Sequence, residues 1–167
     1  MADETKKATQ PPKENQEKEY QPFEKIDFTA GLALVVEDSF PNRNILKGIL
    51  NSLGFEVVVA SNGEEALKAL TFIEANKGNL EIVISDIMMP KMDGLQFLQT
   101  FRQFPQYQTN PPFIFVTAAT DRQNVIEAGK FGANVYLIKP VTLAQVKEKL
   151  AKLLPDRKFS PRRRKVS

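Results

Sequence analysis

The chain has 167 residues, 42% hydrophobic and 26% charged, which suits one domain with a packed core plus tails and excludes two ordinary domains. It contains no Cys and no His, so disulfides, thiol chemistry and imidazole catalysis are excluded and any bound metal must sit on oxygen. The net charge of +3 is localised: residues 1–28 hold five Lys against seven acids, 29–154 hold twelve basic against twelve acidic residues, and 155–167 hold six against one.

Residues 1–28 are rich in Lys, Glu, Gln, Pro and Thr and lack the apolar side chains needed to offset the entropy of ordering, so they read as a disordered tail. No N-terminal run has the makeup of a secretory signal, and no segment approaches the roughly 18 apolar residues of a membrane span. The expectation is a soluble, cytoplasmic protein. From residue 32 the pattern changes. LALVV (32–36) is a short, continuous apolar run suited to a strand covered on both faces, and it ends at Glu37 and Asp38. Ser39 and Pro41 then open a helix with Ile45, Ile49, Leu50 and Leu53 facing inward, stopped by Gly54.

FEVVVA (55–60) reads as the second strand. After a break at Asn62 and Gly63 comes a second helix with Ala66, Leu67, Leu70 and Ile73 on its inner face. LEIVIS (80–85) is the third strand and delivers Asp86. Gly94 opens a third helix with Leu95, Leu98 and Phe101 inward, closed by Pro105. FIFVTA (113–118) is the fourth strand, 121–130 the fourth helix and ANVYLI (133–138) the fifth strand. A fifth helix carries Leu143, Val146, Leu150 and Leu153 and is closed by Pro155. The final PRRRKVS run could touch nucleic acid, anionic lipid or an acidic partner, but with no accompanying aromatic pattern it reads as a solvated basic tail over 155–167.

Five strands alternating with five helices imply βαβ crossovers: an α/β, doubly wound, five-stranded parallel sheet with helices on both faces. Functional groups in such sheets collect beyond the carboxyl ends of the strands, near the topological switch point. Glu37, Asp38, Asp86, Thr117 and Lys139 would converge there. Any one of these acids alone reads as the solvated end of a strand; the conjunction points further. Clustered acids need a counter-charge, and the candidates are Lys139 and a hard cation such as Mg²⁺, to which the Met88 carbonyl could add an oxygen. A carboxylate beside Mg²⁺ can attack a phosphoryl group to give an aspartyl phosphate, with Thr117 and Lys139 binding the transferred oxygens.

The set Glu37 and Asp38, Asp86 followed by IMMPKMDG, Thr117 with Ala118, and Lys139 with Pro140 resembles the receiver domain of two-component response regulators, including the chemotaxis type. The resemblance covers residues 30–154 and implies a (βα)5, flavodoxin-like receiver over 29–154. It implies that a sensor histidine kinase or histidine phosphotransfer protein passes a phosphoryl group to Asp86. Asp38 becomes a direct Mg²⁺ ligand, Glu37 a ligand through water, Asp86 both nucleophile and ligand, and Met88 a carbonyl ligand. Thr117 and Tyr136 become the switch pair, Lys139 pairs with the phosphoryl group, and the Lys139–Pro140 bond is expected to be cis.

Output would pass through binding at helix 4, strand 5 and helix 5, to a separate effector or a homodimer partner, since no segment after 154 is long enough for a DNA-binding or enzymatic domain. The expected role is a phospho-accepting switch and not an enzyme. Met88 and Ala119 offer no polar group to position an attacking water, so slow self-hydrolysis is expected. One alternative is a receiver-like module that binds constitutively without phosphotransfer. Another is an aspartate-based phosphohydrolase, but that would want a second Asp where Met88 stands. A flavin site is disfavoured by the acidic EDSFPNRN after the first strand, and no GxxxxGK[ST] loop exists.

Overall fold

A computed structural model describes residues 25–118 and 122–163. The elements alternate as expected: β1 (Gly31–Val36), α1 (Phe40–Ser52), β2 (Glu56–Ala60), α2 (Gly63–Ala75), β3 (Asn79–Ser85), α3 (Gly94–Gln103), a 3-10 turn (Pro105–Tyr107), β4 (Phe113–Thr117), α4 (Arg122–Lys130), β5 (Val135–Ile138) and α5 (Leu143–Leu153). The strands form one sheet in the order β2-β1-β3-β4-β5, and every pairing is parallel. The chain departs from β1 to one side through β2 and returns to the other through β3, so the switch point lies between β1 and β3.

Apolar strands make sense here because both faces are covered. Leu32, Leu34 and Val36 point into a core shared with Ala66, Leu70, Ile73, Phe97, Leu98, Phe101 and Ala128 of α2, α3 and α4. Ala33 and Val35 point the other way, towards Leu46 and Leu50 of α1 and Val146 and Leu150 of α5. Each fully buried Leu or Val contributes about 2 kcal/mol of apolar burial.

The helix faces differ in detail from the sequence reading. In α1 the buried positions are Leu46 and Leu50, continued by Leu53 after its end, a run at i, i+4, i+7. Ile45, expected inside, lies about 100° off that line and is 55% exposed. In α3 Phe97 joins Leu98 and Phe101 in the core while Leu95 is only half-buried. Leu143 is the first residue of α5 and is exposed, leaving Val146 and Leu150 buried with Leu153 packed beside them. β5 begins at Val135 because the Asn134 side chain intervenes, its Oδ1 accepting from the Phe113 amide at 2.8 Å. Besides Lys139–Pro140, which is cis as expected, the Asn110–Pro111 bond is also cis.

Both ends of the domain depart from expectation. Of the tail assigned to 1–28, residues 1–24 lie outside the described residues, while Ile26 and Phe28 pack on the core. The basic run read as solvated over 155–167 is not so where it is described. Phe159 packs on the α1/α5 side of the core, and Arg157 and Arg162 form ion pairs with acids of the body. Among the described residues no helix is long and apolar enough to cross a membrane.

Candidate functional site

Four strand ends deliver the predicted residues to one edge. β1 runs into Glu37 and Asp38, β3 into Asp86, β4 ends at Thr117, and β5 runs into Lys139. The ladder continues past the strands and fixes their relative heights. The Glu37 amide donates to the Ala60 carbonyl at 3.0 Å, the Asp86 amide to the Val36 carbonyl at 2.9 Å, and the Lys139 amide to the Thr117 carbonyl at 2.9 Å. These three backbone donors at the rim are thereby satisfied by a neighbouring strand, which fixes the relative heights of Glu37, Asp86 and Lys139.

The three carboxylates meet. Glu37, Asp38 and Asp86 each offer an oxygen, and these atoms all lie within 4.8 Å of one another. Their environments differ: Glu37 is fully buried, Asp86 is 7% exposed and Asp38 is open to solvent. Lys139 reaches back over the cluster, its Nζ donating to Asp86 Oδ2 at 2.6 Å and standing 2.8 Å from Glu37 Oε2. The second contact is an ion pair outside hydrogen-bond geometry, so among the described residues Glu37 Oε2 is buried without a hydrogen bond. Glu37 Oε1 accepts from the Ser39 amide at 3.1 Å.

Electrostatics follow from this arrangement. Desolvation pushes the Glu37 carboxyl above its ordinary value, opposed by the Lys139 ammonium and the Ser39 amide and reinforced by the charge on Asp86. Burial acts to lower the Lys139 ammonium, but its hydrogen bond to Asp86 and the charge of the nearby Glu37 carboxylate prevail and hold it above its ordinary value. One cation serving two carboxylates leaves the cluster with excess negative charge. A buried carboxylate oxygen outside hydrogen-bond geometry with its ion-pair partner, beside two further carboxylates in a chain without Cys or His, is a donor set that fits a hard divalent cation.

Thr117 is fully buried at the end of β4, in register with Ile138. Tyr136, on β5, stacks its ring on Phe115 at 6.3 Å and 10°, and its hydroxyl is buried without a hydrogen-bond partner among the described residues. Burial raises its pKa. Met88 lies in the loop after β3 with its side chain 61% exposed, apart from the carboxylates, and its sulfur accepts from Asn124 Nδ2 of α4 at 3.9 Å. Ala119 lies outside the described residues.

Several contributors were not singled out from the sequence. The Ile87 amide donates to Asp86 Oδ1 at 2.6 Å, and the Ser85 hydroxyl to the Asp86 carbonyl at 2.7 Å. Arg43 donates to the Glu37 and Asp38 carbonyls at 2.7 and 3.3 Å and lies over the Phe40 ring. Its position four residues after the Ser39 cap, on the same side of α1, was the available signal. Gly94 opens α3 against the Asp86 backbone, where a β-carbon would collide with the Asp86 carbonyl and with Ile87 Cα. Only glycine lets that helix start directly beneath the site.

The profile of the response regulator receiver domain matches residues 33–151. The chemotaxis protein CheY-3 of Vibrio cholerae serotype O1 is 36% identical over 121 residues, covering 72% of this chain and 88% of that protein. A probable chemotaxis protein CheY of Rhizobium etli is 39% identical over 115 residues, covering 68% and 84%. Among solved structures, CheY4 of Vibrio cholerae superposes with a TM-score of 0.65 at 30% identity, over 75% of this chain and 99% of that one. The CheX-CheY-BeF3-Mg²⁺ complex from Borrelia burgdorferi gives a TM-score of 0.64 at 31% identity, over 73% and 87%.

Proposed function

The chain belongs to the response regulator receiver domain family, and we propose that it is a Mg²⁺-dependent cytoplasmic switch that accepts a phosphoryl group on Asp86. The observation that carries this reading is the meeting of Glu37, Asp38 and Asp86 within 4.8 Å, with Lys139 Nζ 2.6 Å from Asp86 Oδ2. The donor is the phosphohistidine of a sensor histidine kinase or a histidine phosphotransfer protein. An Asp86 carboxylate oxygen attacks phosphorus, an O–P bond forms, the P–N bond breaks and the departing imidazole takes up a proton. Glu37 through water, Asp38, Asp86 and the Met88 carbonyl would hold Mg²⁺, which when bound supplies positive charge for the phosphoryl oxygens.

Lys139 already touches the accepting carboxylate, so a short shift moves its ammonium from Asp86 to the phosphoryl oxygens. Thr117 supplies a hydroxyl to the same group, and its displacement alters the space around Tyr136. The readout is a change in binding at α4, β5 and α5, where Ile126, Ile138 and Leu143 are exposed apolar side chains that suit an effector or a second copy. The role is that of a signalling switch whose only chemistry is its own phosphorylation and dephosphorylation.

The test is incubation with acetyl phosphate or beryllofluoride, with and without Mg²⁺, followed by mass spectrometry and tyrosine fluorescence in the parent and in Asp86→Asn. A Mg²⁺-dependent change confined to the parent is expected. No change in the parent would instead favour a module that binds its partner constitutively.

A further inference from the structure

We propose that residues 155–163 are a structural clasp, an integral part of the folded body that closes the rim of the sheet opposite the acidic site. The matched family profile stops at residue 151, so the clasp lies outside the region common to the family. After α5 the chain crosses the amino-terminal ends of β2 and β3. The Arg157 guanidinium lies over the Phe55 ring, 3.7 Å from its centroid, while its Nη2 donates to the Gly54 carbonyl at 3.0 Å and its Nη1 pairs with Glu81. Phe159 packs against the same Phe55 ring, with centroids 6.3 Å apart. Arg162 completes the crossing by pairing with Glu56 and, at 2.6 Å, with Asp27 Oδ2 ahead of β1.

The body is shaped to receive this segment. Gly54 has φ +93, and a β-carbon there would strike the Ser160 carbonyl, so the glycine that ends the α1 connection also leaves the gap through which the clasp passes. Phe55, 1% exposed, is sealed by groups of the clasp. The charges are complementary as well: among the described residues Arg157 and Arg162 are matched to three acids of the body, Glu81, Glu56 and Asp27. Exposed ion pairs add little on their own, so the weight falls on Arg157, whose side chain is 17% exposed and stacked, and on Phe159. Arg162, at 27% against an Asp27 at 46%, secures the end.

The experiment is thermal unfolding of the full chain and of Arg157→Ala, Phe159→Ala and a deletion of residues 164–167, followed by circular dichroism. Loss of Arg157 or Phe159 is expected to lower Tm by about 5–10 °C, while the deletion moves it by about 1 °C or less. Beryllofluoride uptake by the folded variants stays at the parent level, which separates a fault at this rim from one at Asp86. If Arg157→Ala fails to fold, Arg157→Lys, which keeps the charge but loses the planar stack, is expected to show an intermediate fall in Tm. Parent-like Tm in both Arg157→Ala and Phe159→Ala would overturn the proposal and return the segment to the status of a tail.

Discussion

The Lys139 ammonium lies 2.6 Å from Asp86 Oδ2, so the carboxylate that would receive phosphorus is already paired with the cation that would follow it. The lysine side chain is 25% exposed, against 10% for Asp86, which makes this a partly buried pair whose loss strands a carboxylate. Lys139→Ala is expected to cost about 1–2 kcal/mol of unfolding free energy, less than a fully buried pair because solvent screens the lysine side. Urea denaturation measures it, and millimolar Mg²⁺ should restore part of the loss by replacing the missing positive charge.

Asp38 is the exposed member of the acidic trio and has the smallest structural task. Asp38→Asn should therefore leave the unfolding midpoint in EDTA close to that of the parent, yet weaken Mg²⁺ binding by about tenfold or more, as expected when one of few carboxylate ligands is neutralised. Isothermal titration of Mg²⁺ into both proteins decides it; equal affinities would remove Asp38 from the ligand set.

Tyr136 gives a pH prediction with a definite sign. Its hydroxyl is buried without a partner among the described residues, and burial raises its pKa above the ordinary 10.0. The unfolded chain therefore releases this proton first, so the contribution to stability is whole below the unfolded value and is lost as pH climbs from there through the folded value. Tyr136→Phe should abolish that part of the alkaline fall, and at neutral pH should stabilise the metal-free protein by about 1 kcal/mol by deleting an unsatisfied hydroxyl.

Gly94→Ala puts a methyl group where the Asp86 carbonyl and Ile87 Cα already stand. Overpacking of this kind costs about 1–3 kcal/mol, and here it also displaces the backbone that aims Asp86. The variant should lose both stability, read in urea, and Mg²⁺-dependent beryllofluoride uptake, whereas an alanine at the open position Gly48 should lose neither.

The Met88 side chain is exposed and offers no hydroxyl or amide to steer water towards the phosphorylated Asp86. Self-dephosphorylation should consequently take minutes or longer, measured as phosphate release after removal of the donor. Met88→Asn should shorten it; a lifetime of seconds in the parent would contradict the expectation.

The strands and the acidic edge were legible in the sequence because a parallel strand covered on both faces must be apolar along its length, so its end is marked where Glu37 or Asp86 interrupts the run. Helix faces were less so. Ile45 and Leu46 are both apolar and adjacent, and only the position of the sheet decides that Leu46 enters the core. Asn134 shortened β5 through a side-chain bond to Phe113 that no local pattern announces. The clasp was illegible for a different reason: Arg157, paired with Glu81, and Arg162, paired with Glu56 and Asp27, meet acids 76, 106 and 135 residues earlier. Within its own window the segment holds six cations and one anion, and nothing local tells a solvated run from one matched across the fold.

The contact between Arg162 and Asp27 also has a geometric outcome for anything joined to the protein. In a parallel sheet the two rims are separated by the full length of the strands, and these two residues sit at the rim away from Asp86. A tag, fluorophore or fused protein joined directly at residue 25 or residue 163 would therefore start its path on the far side of the domain. From there it leaves the face formed by Glu37, Asp38 and Asp86 open to an approaching partner.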